Sequence, residues 1–249
     1  MEGEQMAPSA SSAHMLPQLW TAFVGRVDET AEIKHLLDDP ACRLLTLVGP
    51  GGSGKTRLAV QVAAQKQEEF PDSIYFVPLA PISSTVHLIP AITSTLGLQF
   101  DAHEAPKQQL LNNLREKRLL LILDNFEHLL DGTELVADIL STAPDVKILV
   151  TTRETLNLDG EWIRQVNGFP FPTGDAPAAQ VDDFAAIQLF VERAQRVRGN
   201  FDPSNELRHI ALVCQLVDGL PLGIEMAAVW LKTLTCAQIA DEIQRNLDF

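Results

Sequence analysis

The chain has 249 residues, 46% of them hydrophobic and 21% charged, with 33 acidic against 19 basic side chains and a net charge of -14. That is enough for one large domain, or an ordinary domain with a smaller one, and too apolar for a disordered polymer. The negative excess repels a phosphate backbone, which excludes direct nucleic-acid binding by this segment as a whole, so any cations that hold an anion must be local.

The opening residues, MEGEQMAPSASSAH, lack the basic-then-apolar order of a secretory signal, and residues 1–17 are expected to form a disordered tail. Cys42, Cys214 and Cys236 lie far apart without metal-ligand or disulfide-framework spacing, which fits a reducing compartment. The longest wholly apolar run, Met226 to Leu231, is far too short to cross a bilayer. A cytoplasmic protein is expected, with no membrane partner.

In chain order, short aliphatic runs at Leu44–Val48, Ile74–Val77, Leu119–Leu123 and Val146–Val150 read as buried strands, and Trp162–Val166 reads as a weaker fifth. Helical patterns lie between them at Thr56–Phe70, Val86–Leu96, Lys107–Glu116 and Phe126–Leu140. Strand and helix in alternation imply a parallel sheet covered on both faces. Prolines and a glycine between Phe169 and Pro177 mark a break. Beyond it Asp182–Val197, Ser204–Val217, Pro221–Leu231 and Cys236–Arg245 read as four helices, the second capped by Ser204 and the third opened by Pro221. The predicted domains are residues 18–175, α/β, and 176–249, a small helical domain.

Between the first strand and the next helix stands Gly49-Pro50-Gly51-Gly52-Ser53-Gly54-Lys55-Thr56, which matches G-x-x-x-x-G-K-[ST], the phosphate-binding loop. Glycines let backbone N–H groups turn inward around an anion, and the helix N-terminus adds partial positive charge. Lys55 is expected to reach the outer phosphates, Thr56 to ligate Mg²⁺, and Arg57 to join the nucleotide contacts. The fold class is thus expected to be a P-loop NTPase sheet followed by a four-helix domain.

RLLLILDNFEHLL ends its apolar run at Asp124, where a carboxylate can hold Mg²⁺ through water. Glu127 is the first candidate to orient or deprotonate an attacking water, with Asn125 as helper. Each has a plainer reading, Asn125 as cap of the next helix and Glu127 in its first turn. In KILVTTRE, Thr151, Thr152 and Arg153 should line the same sheet edge. Arg153 can read a terminal phosphate by charge-assisted hydrogen bonds, or it can form a surface ion pair with Glu127 or Glu154. The six histidines show no pair at helical metal-ligand spacing.

These motifs resemble the nucleotide-binding core of STAND-class signalling ATPases, close to the NB-ARC domains and to bacterial multidomain regulators. The matching stretches are FVGR at Phe23–Arg26, GPGGSGKTRLA at Gly49–Ala59, LLLILDNFEHLL at Leu119–Leu130, ILVTTRE at Ile148–Glu154 and GLPLGIEMAA at Gly219–Ala228. The resemblance implies ATP or ADP as ligand with Mg²⁺, adenine contacts by Val24, Gly25 and Arg26, and Pro221 packing on the base. It implies Arg153 as sensor arginine, slow hydrolysis, self-association in the ATP state, and winged-helix and repeat domains beyond residue 249. Asp124-Asn125 departs from the paired acids common in eukaryotic members. An AAA-like remodelling ATPase is the alternative class, with a small-molecule kinase behind it; no arginine-rich lid for a kinase is found.

Overall fold

The computed structural model describes residues 16–99, 103–172 and 182–247. The predicted tail falls outside the described residues as far as residue 15, whereas Leu16 packs against the core. Residues 173–181 also fall outside them, and with them most of the proline-rich break and the predicted boundary at residue 175.

Strands β1 (Leu44–Val48), β2 (Ile74–Pro78), β3 (Leu120–Asp124), β4 (Lys147–Thr152) and β5 (Glu161–Gln165) form one sheet in the order β2-β3-β4-β1-β5, every neighbouring pair parallel. Each predicted strand is present, its limits displaced by no more than two residues. Alternate residues serve opposite faces, as the pleat requires. Leu120 and Ile122 join Leu45, Leu47 and Leu149 under α1 (Val27–Asp38) and α2 (Lys55–Gln65). Leu121 and Leu123 join Val77, Ile148 and Val150 under α3 (Leu88–Leu96), α4 (Pro106–Leu114) and α5 (Thr133–Thr142).

Most helices are trimmed by a few residues relative to their patterns, and two depart further. The stretch predicted to run to Phe70 leaves the α-helix at Gln65, where the chain turns to bring the buried Lys66 ammonium onto Asp38 and Glu69. The stretch predicted from Phe126 opens instead with two 3₁₀ turns, Phe126–His128 and Leu130–Gly132, before α5 begins. Two anchors impose this. Phe126 is fully buried, and His128 Nε2 sits 3.1 Å from the carbonyl of Leu79 and 2.7 Å from that of Ile82, a pairing that a continuous helix would break.

A second core gathers α6 (Ala185–Val197), α7 (Leu207–Leu216), α8 (Pro221–Val229) and α9 (Cys236–Leu247) around Phe190, Ile210, Ile224 and Ile239. Pro221 opens α8 as predicted. Ser204 does not cap α7; its hydroxyl bonds Asp202 Oδ1 at 2.6 Å in a turn preceding the helix, which starts only at Leu207. The two cores meet where Phe169 N–H donates to Gly219 O at 2.7 Å. No described helix is long and apolar enough to cross a membrane.

All three cysteines are buried and free. Burial raises the Cys42 thiol to about 11, and Cys214 and Cys236 to about 12. Folded protein at pH 8 should therefore leave a thiol-specific chromogenic disulfide unreacted, and all three should react in denaturant. Because the unfolded thiols titrate near 8.5, their burial contributes stability that is present below that pH and declines above it. Fast modification of the native protein would contradict the buried placement.

Candidate functional site

All strands being parallel, the C-terminal ends of β1, β3 and β4 reach one edge of the sheet, where Val48, Asp124 and Thr152 stop. The chain leaving β1 is fastened there by Gly49 N–H donating to Thr152 O at 3.3 Å. A Cβ at Gly49 would stand 2.1 Å from the Val166 carbonyl oxygen, so nothing larger than glycine fits. Gly52 and Gly54 adopt φ of 79° and 91°, a region that side chains rarely enter, and this lets the loop curl before α2 starts at Lys55.

Within that loop Lys55 Nζ donates to the carbonyls of Gly49 at 2.8 Å and Pro50 at 3.0 Å. Burial lowers the Lys55 pKa; the carboxylate of Glu127 opposes this shift and Arg153 adds to it. Thr56 donates to Asp124 Oδ1 at 2.6 Å, and Thr151 donates to the same oxygen at 2.7 Å. Thr151 Oγ1 also accepts the Asn125 N–H at 3.0 Å. Asn125 is left-handed at φ 64° and makes no side-chain cap; its Nδ2 lies 3.4 Å from Glu127 Oε1. Arg153 Nε pairs with Glu127 Oε1 at 3.2 Å, the ion pair that was one of the two sequence readings.

A second group of residues walls a cleft beside the loop. Phe23, Val24, Arg26, Gly54, Arg57, Phe169, Leu189 and Pro221 are among its lining, and its open space, mouth included, is about 330 Å³. Gly25 and Arg26 are both left-handed just ahead of α1. The Arg26 guanidinium is buried over the Phe169 ring, 4.8 Å from its centroid, and donates to Ser53 O and Asn167 O, each at 2.7 Å, while pairing with Glu29 at 2.9 Å. Arg57 turns its guanidinium to Thr21 and the Ala22 carbonyl, fixing the segment that enters the cleft. Pro221 reaches within 3.8 Å of the Cβ position of Gly54, and Leu222 N–H donates to Gly52 O at 3.2 Å, so α8 is bonded directly to the loop.

The structure thus brings Gly49 to Arg57, Asp124, Asn125, Glu127 and Arg153 to one edge, with Val24, Gly25, Arg26 and Pro221 beside it. Sequence reasoning missed Phe169, Arg193 and Glu225. Arg193 donates to Glu225 Oε1 at 2.9 and 3.2 Å, and both residues line the cleft. Phe169 stood inside a proline-rich break and Arg193 in a basic helical stretch, RAQRVR, so neither carried a local signal.

Two buried polar atoms at this edge have no hydrogen-bond partner, Ser53 Oγ and Glu127 Oε2. Orphaned polar atoms beside a glycine-lined loop fit a site built for a polar ligand. Thr56 and Asp124 are the pair that fits Mg²⁺, which takes few protein oxygens and completes its shell with water and phosphate. Among the described residues no group of three or more His, Cys, Asp or Glu could hold another metal.

Comparison with known proteins bears on the fold and the family. An uncharacterised Mycobacterium tuberculosis protein is 34% identical over 236 residues, 94% of this chain and 57% of its own length. The regulatory protein AfsR of Streptomyces griseus is 26% identical over 256 residues, 94% of this chain and 24% of its own. The chain therefore spans little more than half of the first relative and about a quarter of the second. Among solved structures, Cdc6p from Pyrobaculum aerophilum superimposes with a TM-score of 0.59 at 17% identity, over 96% of this chain and 65% of that one. A Signal Transduction ATPase with Numerous Domains (STAND) protein with a tetratricopeptide repeat sensor, from Pyrococcus horikoshii, does so at 0.53 and 16%, over 96% and 34%. The family described as NB-ARC domain matches residues 27–157. That match holds the phosphate-binding loop, Asp124 and Arg153 within more than half of the sequence, and by it the chain belongs to the NB-ARC family, on a P-loop NTPase fold.

Proposed function

We propose that the chain is an adenine-nucleotide switch, binding ADP at rest and ATP when activated, with slow Mg²⁺-dependent hydrolysis. The observation that carries the reading is the Asp124 carboxylate bonded to the Thr56 hydroxyl at the foot of a glycine loop that begins α2. Gly49 to Thr56 would hold the phosphates through backbone N–H groups and Lys55. Thr56 and Asp124 would hold Mg²⁺, which when bound neutralises charge developing between the outer phosphates. Glu127, helped by Asn125, would orient water, and Arg153 would meet the terminal phosphate. Val24, Gly25, Arg26, Arg57 and Pro221 would enclose the base and sugar.

Residues 18–175 then form the nucleotide-binding unit and 176–249 the lid-type helical unit. Because Pro221 and Lys55 would touch one ligand from two units, ATP and ADP bias the angle between them by their difference in affinity for each arrangement. The ATP arrangement self-associates; in family members the output lies in winged-helix and repeat domains that follow this segment. Relatives named as a regulatory protein and as putative HTH-type transcriptional regulators support a role in signal transduction and transcription control; the reading places it in the cytoplasm with no direct nucleic-acid contact by this segment.

The test is to heat-release bound nucleotide from purified protein and then measure turnover. Retained ADP with turnover below roughly 1 s⁻¹, against an enzyme median near 10 s⁻¹, is expected. Empty protein with rapid turnover would replace this reading by the AAA-like remodelling ATPase.

A further inference from the structure

The group that receives Arg153 is itself incomplete. Arg153 follows β4 as a largely exposed side chain, and its Nη2 stands 3.1 Å from the Cβ position of Gly51, so the guanidinium lies along the phosphate-binding loop. Glu127 accepts from Arg153 and Asn125 on Oε1 alone, while Oε2 is buried with no partner. Lys55 feels both groups electrostatically, which puts two cations and one half-satisfied carboxylate around the mouth of the loop.

Of the Arg153 donors Nε meets Glu127, while Nη2 lies beside the loop at Gly51, so a bidentate grip on a phosphate through the Nε and Nη2 edge takes Nε away from the carboxylate. We propose that Arg153 exchanges partners, Glu127 in the protein that lacks a third phosphate and the terminal phosphate when ATP is bound, so that Glu127 sets the preference for triphosphate over diphosphate. The pair is an internal competitor for the sensor. It also holds Glu127 through Oε1 until a terminal phosphate draws the arginine away, after which that oxygen is shared with Asn125 alone and the carboxylate can turn to a water. The order follows from the geometry: nucleotide recognition precedes release of the carboxylate. This inference rests on the nucleotide-binding reading above.

Titration calorimetry on the full chain with ADP and with a non-hydrolysable ATP analogue, Mg²⁺ present, tests it without relying on turnover. The readout is the ratio of the two dissociation constants. Glu127→Gln keeps the shape of the side chain and removes its charge, and should raise preference for the triphosphate about three- to fivefold, the size of a partly exposed ion pair. Deleting a negative charge favours any anion, so the comparison is repeated on Arg153→Ala. In that background Glu127→Gln should change the ratio less than about twofold, and Arg153→Ala alone should lower it. An equal rise in both backgrounds, or none in either while both nucleotides bind, overturns the exchange. Failure of the unaltered protein to bind either nucleotide overturns the nucleotide reading and this inference with it.

Discussion

Lys55→Ala should abolish the thermal stabilisation that ATP confers on the unaltered protein. A ligand present at 100 times its dissociation constant stabilises the native state by about 2.7 kcal/mol. For a chain of this size that is a rise in melting temperature of about 5–11 °C. Lys55 supplies the ammonium of the loop, and among the described residues it donates to the Gly49 and Pro50 carbonyls, so it is bonded inward and able to exchange them for phosphate. Truncation removes two hydrogen bonds at a partly exposed position, about 1 kcal/mol or less once water replaces them. The variant should accordingly melt near the parent without ligand and fail to rise with it. A variant whose melting temperature climbs with ATP as the parent's does would show that the loop does not hold the phosphates.

Arg26→Ala should do the opposite, lowering stability before any ligand is added. One guanidinium ties the phosphate-binding loop through Ser53 O, the exit from β5 through Asn167 O and the first turn of α1 through Glu29, and it covers the Phe169 ring. Truncation would leave the buried Ser53 carbonyl without its donor and Glu29 without its cation. Removing one member of a set bonded in this way costs about 3 kcal/mol, or about 6–12 °C in melting temperature. Arg26→Lys should rescue little, because a single ammonium cannot span the carbonyls and the ring together. A melt within 2 °C of the parent's, by calorimetric scan, would mean that the three elements are held by other contacts. The motif FVGR led to an expectation of nucleotide contact; in the structure Arg26 lines the cleft and also props the loop from behind.

The two variants divide the site into a part that meets the ligand and a part that shapes the loop, and the sequence reveals the first far better. The signal of Gly49 to Thr56 is contiguous, since each glycine answers a local backbone demand and the lysine and threonine follow at fixed positions. The strands are equally legible because β1 and β3 are buried on both faces, and only unbroken aliphatic runs satisfy that. What stayed hidden depends on partners far away in sequence. Thr151 and Asp124 are 27 residues apart, Arg193 and Glu225 are 32, and Arg26 and Asn167 are 141. Nothing local to either residue encodes such a meeting. The 3₁₀ turns after Asp124 were missed for the same reason, because the helical spacing of Phe126 and Leu130 is overruled by His128 reaching the carbonyls of Leu79 and Ile82.

The position of β1 in the sheet also bears on synthesis. It is hydrogen-bonded on one side by β4 and on the other by β5, both of which follow it in the chain. At ribosomal rates of about 5–20 residues per second, the nascent segment Leu44–Val48 waits roughly 5–20 s for its first neighbour, Lys147–Thr152. Throughout that interval an aliphatic strand with two open edges is exposed to other nascent chains. The central place that lets β1 present its loop to a ligand also leaves it waiting longer for a partner during translation than any other described strand.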